Sequence, residues 1–433
     1  MKWREFHPNV KIRLLEKFIT DVIGGMVFPF MAIYSAERLG SGLTGALIMI
    51  NVAVGFLAGF YGGYFADLAG RKKVIAFAEL LRLAAIVTMA LANIPGAISP
   101  FAAAWITMAM MMMNSICSGL SDPASTAMLI DVTPPQHRRF IYGITYWTSN
   151  LSVALGGIVG GFFFSHYLFE IFVTLAFASL VSVILVLFFI TESRPATGKA
   201  FTGKKPRIIA DVAQNYKMVA KDTSFMLFTL ATMLVLSLEF NLTSYISVRL
   251  NEEMQAQTLS LFGYAIPVNG VSILGILRTE NTALVVLFAM FVNRLIDRSG
   301  EKRSFFTGLF IFTAGFLTIS YSNHGWTLIG AMLVVTIGEL MNVPVRQAYL
   351  ADLPPTEARS SYMAMFNLVY RGAMMIAGLN ITLGTFLPKE VMVLMFAATG
   401  LTGIWIYTRI MPRLDRRRLA ARSESANPSA AAM

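Results

Sequence analysis

An all-α membrane protein with twelve transmembrane helices in two pseudo-symmetric six-helix halves is the fold this sequence predicts, on three observations. Of its 433 residues, 56% are hydrophobic and only 14% charged, where about a quarter charged is usual for soluble domains. The apolar residues fall in runs of roughly 20, the helical length that crosses a ~30 Å hydrocarbon core, without the in–out alternation of barrel strands. The connections between runs alternate between basic and nearly uncharged, and motifs of the first half return in the second.

In chain order the apolar runs predict spans at 13–37, 44–67, 74–94, 101–132, 140–164 and 169–191, then 223–248, 281–297, 304–322, 326–351, 360–386 and 389–411. The first run has no small-residue cleavage pattern after it and stays as a helix. Residues 1–191 form the N-terminal half and 223–411 the C-terminal half. The segment 192–222, rich in Pro, Gly, Thr and cations, is a linker, and the small polar tail 412–433 is expected to be disordered. Residues 251–280 form a long outer loop, part of it apolar enough to lie at the membrane interface.

The cations behind the net charge of +11 crowd into the N-terminus, Arg71–Lys73, Arg138 and Arg139, Arg194–Lys221, Arg294–Arg303 and Arg409–Arg422, while the alternate loops hold only Arg38, Arg249, Arg278 and Lys389. That asymmetry puts the basic loops and both termini in the cytoplasm of a plasma or inner membrane, with anionic lipid headgroups rather than nucleic acid as neighbours. The single cysteine, Cys117, excludes an internal disulfide. The stretch Gly198–Lys205 approaches a phosphate-binding loop, but lysine replaces the hydroxyl residue that would hold magnesium. No catalytic triad or metal-ligand cluster is visible among the four histidines and their surroundings. The expectation is a transporter, not an enzyme, using no cofactor and energised by an ion gradient.

Two motifs organise the chain. Between the second and third spans runs GYFADLAGRKK, with Gly63, Asp67, Gly70 and Arg71. NRLIDRSGEKR, with Asp297 and Gly300, occupies the equivalent place in the second half. PASTAMLIDVTPPQHRR, ending the fourth span, returns as PVRQAYLADLPPTEARS, so that Asp131 corresponds to Asp352. Repeated six-helix halves mark a carrier with a central site between them. The glycines allow a tight turn, and a carboxylate at membrane depth, costing roughly 2.5–3.5 kcal/mol, needs arginines or helix N-termini as partners. Such bonds suit a cytoplasmic latch.

These residues resemble the signature loop of the major facilitator superfamily, and TYWTSNLSVALG (145–156) and TIGELMNVPVRQAYLADL (336–353) are similar to segments of its LmrP-type multidrug/proton antiporters. The resemblance implies export of lipophilic, often cationic drugs by alternating access, driven by proton entry, from a monomer. It implies an inner gate of Asp67 and Arg71 with Asp131 as partner, and Glu339 as the carboxylate of the binding cavity. The family pattern has aspartates where Thr145 and Thr243 stand here. The glycine pairs Gly156-Gly157 and Gly160-Gly161 match its antiporter motif in part.

Intramembrane acids are functional by default. Glu339 is the foremost proton-coupling candidate. Asp21, against pairing with Lys17 or Arg82, Asp122, against capping a helix restarted at Pro123, and Glu239 are the others. Glu79 and Arg82, three residues apart, read as a mutual ion pair. Tyr146, Trp147, Asn150, Thr145, Asn241, Thr243 and Arg371 complete the expected substrate-binding set, the aromatics by stacking on cationic ligands. A lipid flippase or a proton-coupled nutrient symporter of the same fold is the alternative.

Overall fold

The computed structural model describes residues 6–133, 135–193, 217, 219–261, 264–354 and 359–426. The helices are α1 (Pro8–Val27), α2 (Met31–Leu39), α3 (Ser41–Ala69), α4 (Arg71–Ala92), α5 (Pro100–Asp131), α6 (Pro135–Phe163), α7 (Leu168–Ile184), α8 (Thr223–Asn241), α9 (Tyr245–Glu253), α10 (Gly270–Ser299), α11 (Glu301–Tyr321), α12 (Gly325–Asp352), α13 (Arg359–Leu383) and α14 (Lys389–Ala426). Among the described residues ten spans are long and apolar enough to cross a membrane. Two shorter apolar stretches, Thr148–Phe163 and Leu368–Leu383, sit within α6 and α13.

Local chemistry explains most boundaries. Pro8 sits in the first turn of α1, where its missing N–H costs nothing. Gly70 and Gly300 each separate two helices by a single residue, with φ of 99° and 83°, a conformation that glycine adopts without a Cβ clash. The repeated turn of the sequence is thus a repeated backbone geometry. Pro123 and Pro344, the other repeated pair, both lie inside continuous helices.

Three expectations are corrected. The outer loop 251–280 holds an antiparallel hairpin, β1 (Gln257–Leu261) with β2 (Tyr264–Val268), and the first turns of α10. The eighth span therefore begins at Gly270 and not at 281. The polar group Arg278-Thr279-Glu280-Asn281 interrupts the apolar pattern and hides the first half of this helix. The seventh span divides into α8 and α9 after Asn241. The tail is helical through Ala426, while 427–433 and most of the linker lie outside the described residues.

By internal packing the chain forms two units. One comprises residues 1–200, 243–286 and 378–386, and the other 201–242, 287–377 and 387–433. In the first unit α6 is clasped on two faces. A Cβ at Gly156 would lie 2.5 Å from the Val22 carbonyl and one at Gly160 2.6 Å from that of Met26, both on α1. On the other face, a Cβ at Gly161 would lie 2.9 Å from the Gly275 Cα and one at Gly275 2.4 Å from the Gly157 carbonyl. The two glycine pairs let bare backbones meet on both sides, the small-residue device of membrane helix packing. The Thr279 hydroxyl adds a hydrogen bond to the Ala154 carbonyl at 2.9 Å. On α13, the Thr382 hydroxyl donates to the Gly42 carbonyl at the start of α3. Both contacts lie toward the ends of these helices opposite the basic turns.

In the second unit, Tyr407 packs edge-on against Phe228 and Phe305 and shares a 2.6 Å hydrogen bond with Thr232. At the N-terminus of α8, Asp222 accepts from the Phe225 N–H as N-cap, from the Arg417 guanidinium at 2.7 Å and from the Tyr362 hydroxyl at 3.0 Å. Burial alone would push this carboxyl up, but the donated hydrogen bonds and the arginine charge outweigh it and hold it below its ordinary value. A depressed carboxyl contributes stability above its unfolded pKa, and that contribution is lost as pH falls through its folded value. Asp222→Asn is therefore expected to lower the thermal midpoint at neutral pH, and the gap to the wild type should close on acidification. A constant gap across the acid range would contradict this.

Candidate functional site: a charged cavity in the first unit

A cavity of about 440 Å³ opens among α1, α4, α5 and α6, within the range of small-molecule sites. Its lining is polar. Hydroxyls come from Thr20, Ser118, Ser121, Ser125, Thr126 and Thr145, and charges from Arg13, Glu16, Lys17, Asp21, Glu79, Arg82 and Asp122, with only Leu14 and Leu129 apolar. Helical spacing builds it, because Arg13, Glu16, Lys17, Thr20 and Asp21 recur at three and four residues and share one face of α1.

The charges are ordered. Arg13 pairs with Glu16 at 2.9 Å and also bonds the Ser125 hydroxyl. Arg82 pairs with Glu79 at 2.8 Å and reaches Ser118 at 3.1 Å, so the pair read from the sequence is present. Lys17 pairs with Asp21 at 2.9 Å. The Ser182 hydroxyl, from α7, lies 2.8 Å from Glu16 Oε1 and 3.1 Å from Glu79 Oε2. Three cations thus face four carboxylates.

Of the expected site residues, the structure gathers Asp21, Asp122 and Thr145 at this cavity. α5 runs unbroken past Pro123, so Asp122 does not cap a restarted helix but faces the cavity. Asn150 is half-buried on α6. Thr243 also belongs to the first unit. Glu339, Glu239, Asn241 and Arg371 belong to the second. There Glu339 is half-buried on α12, next to Gly338, which packs against the α11 backbone. Glu239 is exposed in the last turn of α8, and the buried Asn241 amide is bonded back to the Ser237 carbonyl at 2.7 Å. The side chains of Asp67, Asp131, Asp297, Tyr146 and Trp147 lie outside the described residues, as does Gly63 beyond its place in α3.

At the Gly70 turn between α3 and α4 the structure adds a residue. The Glu192 carboxylate accepts from the backbone N–H groups of Arg71 and Lys72, both at 3.1 Å, and caps α4. A negative charge at a helix N-terminus is stabilising. A Cβ at Gly70 would meet Glu192 Oε2 at 2.7 Å, in addition to its strained φ. Glu192→Gln is expected to weaken this cap by about 1 kcal/mol, read as a lower thermal midpoint; an unchanged midpoint would rule the cap out as a stabilising contact.

Sequence reasoning missed Glu16, Ser182 and Glu280. Glu16 sits among basic neighbours at a span entry, and Ser182 is one small residue in an apolar run. Glu280 fell in the supposed outer loop, yet it is within the α10 span, and its Oε2 is buried without a hydrogen-bond partner among the described residues.

Long apolar helices around a charged cavity, with a repeated inter-helix turn, are the frame of a membrane transporter. The family model of the Major Facilitator Superfamily matches residues 17–280 and 270–431, and the chain belongs to that family. It is 31% identical to the Na(+), Li(+), K(+)/H(+) antiporter of Planococcus maritimus, over 97% of this chain and 100% of that protein. It is 23% identical to the multidrug resistance protein MdtH of Edwardsiella ictaluri, over 79% and 78%. A crystal structure of the peptide transporter POT in complex with sulfate superposes with a TM-score of 0.69 at 16% identity, over 96% of this chain and 97% of that one, a likeness of fold.

Proposed function

We propose that this protein is a proton-coupled antiporter that exports a monovalent cation, using the proton gradient and no cofactor. The observation that carries this reading is the charge balance of the cavity. Among the described residues, with every group ionised, four carboxylates outnumber three cations, leaving a single negative charge that one proton or one monovalent cation can neutralise, but not both. Oxygen ligands from carboxylates and hydroxyls suit hard cations, and a relative matched along its whole length is named for exchange of Na⁺, Li⁺ and K⁺ against H⁺.

In proteoliposomes with an imposed pH gradient, added Na⁺, Li⁺ or K⁺ is expected to discharge the gradient, and Asp122→Asn to reduce the rate at least tenfold. A gradient indifferent to all three cations would overturn the alkali-cation reading.

Drug export, the reading drawn from the resemblance, is the second. It is favoured by the relative named for multidrug resistance, by Glu339 and by the exposed ring of Tyr370, which neighbours Arg371. Under it, Glu339→Gln abolishes efflux of cationic dyes from cells. Wild-type efflux from that variant would remove Glu339 from the site. The alternatives of lipid flipping and nutrient symport gain no support from a small cavity lined by ions.

A further inference from the structure

We infer that Glu16, Ser182 and Glu79 hold one shared proton as a carboxyl–hydroxyl–carboxylate chain, and that this proton is the one surrendered when a cation enters the cavity. The use of the proton rests on the antiport reading; its presence does not.

The geometry favours it. Both carboxylates are buried, Glu16 4% and Glu79 1% exposed, and so is Ser182, at 1%. Each glutamate gives one oxygen to an arginine, Glu16 Oε2 to Arg13 and Glu79 Oε1 to Arg82. The remaining oxygens, Glu16 Oε1 and Glu79 Oε2, both point at the Ser182 hydroxyl. A hydroxyl has a single hydrogen to donate but can accept through its lone pairs. With both glutamates ionised, Ser182 satisfies one and leaves the other facing a bare lone pair in a buried site, which is costly for a charged group. One added proton repairs this. A protonated carboxyl donates to Ser182 Oγ while Ser182 donates to the other carboxylate, and the chain can run in either direction.

The surrounding charges fit one such proton. Arg13, Lys17 and Asp21 face the cavity from α1, Arg82 from α4 and Asp122 from α5, with the Cys117 thiol buried nearby on α5, Thr145 on α6, and Ser182 reaching in from α7. With the chain protonated, three cations meet three negative charges. Entry of Na⁺, Li⁺ or K⁺ near Asp122 and the serines then favours loss of the proton, which restores neutrality. No bond beyond O–H is made or broken, and the released proton leaves to water in the cavity.

Infrared difference spectroscopy of the purified full-length protein at neutral pH tests this through the carboxylic-acid C=O stretch. Wild type should show one acid equivalent that is lost in both Glu16→Gln and Glu79→Gln, shifted in Ser182→Ala, and retained in Asp21→Asn and Glu339→Gln. Glutamine mimics the protonated carboxyl in shape, and Ser182→Ala leaves both ion pairs in place, so folded protein is available from at least one arm. An acid band unchanged in the two glutamine variants and in Ser182→Ala would overturn the shared proton. In lightly buffered solution, addition of NaCl, LiCl or KCl should release about one proton per wild-type molecule and none from Glu16→Gln or Glu79→Gln. A band that behaves as expected with no salt-driven release would support the shared proton and overturn the antiport reading. Release that persists in both glutamine variants would place the exchanged proton elsewhere and overturn its assignment here.

Discussion

Replacing Gly156 by leucine is expected to abolish recovery of folded transporter, whereas Gly157→Ala should be nearly neutral. A Cβ at Gly156 would lie 2.5 Å from the Val22 carbonyl and 2.7 Å from the Gly25 Cα, so the obstruction is backbone and cannot turn aside. Overpacking typically costs about 1–3 kcal/mol where side chains can shift. Here α1 itself must move, and with it Arg13, Glu16 and Asp21 on the same helix. At Gly157 the nearest atoms are 3.4 Å away and belong to the side chains of Arg278 and Thr279. Size-exclusion elution in detergent and the thermal midpoint are the readouts. A Gly156→Leu protein that elutes and melts like wild type would show that the helix pair is looser than described.

Arg82→Met is expected to destabilise the protein by about 3–5 kcal/mol, because it strands the Glu79 charge in a buried site. Arg82 satisfies Glu79 Oε1 at 2.8 Å and ties α4 to Ser118 on α5 at 3.1 Å. The double variant Glu79→Gln with Arg82→Met should recover most of the loss, since the uncompensated ion is gone. The recovery separates the electrostatic cost from lost packing of the arginine stem. Chemical or thermal unfolding of the three proteins gives the comparison, and no recovery in the double variant would assign the loss to packing.

Much of the fold could be read from the residues. Apolar run length placed ten of the twelve expected spans on helices to within about five residues and started the last at Lys389, although that helix runs on to Ala426, and the paired motifs around Gly70 and Gly300 marked turns that share one backbone geometry. The eighth span was misplaced because a hydropathy window penalises Arg278, Glu280 and Asn281 equally, whether they lie in water or inside a helix bundle. The hairpin at 257–268 was lost in the same apolar loop. The cavity was half legible. Asp21 and Asp122 stand out as acids in oil, and Glu79 with Arg82 follows from i,i+3 spacing. Glu16 and Ser182 come together from positions far apart in the chain, and no local pattern announces that two glutamates will meet at one serine. Asn241 shows the converse. Its polarity at membrane depth reads as ligand binding in the sequence, and the structure adds a bond that no pattern shows, from its amide to the Ser237 carbonyl of its own helix.

The meeting of α6 with α10 has a mechanical corollary. The helices meet through bare main chain at Gly157, Gly161 and Gly275, and the Thr279 hydroxyl bonds the Ala154 carbonyl. With no side chain on the glycines to interlock, the fit is one of surface against surface, and a single methyl added at Gly161 or Gly275 would wedge the two helices apart.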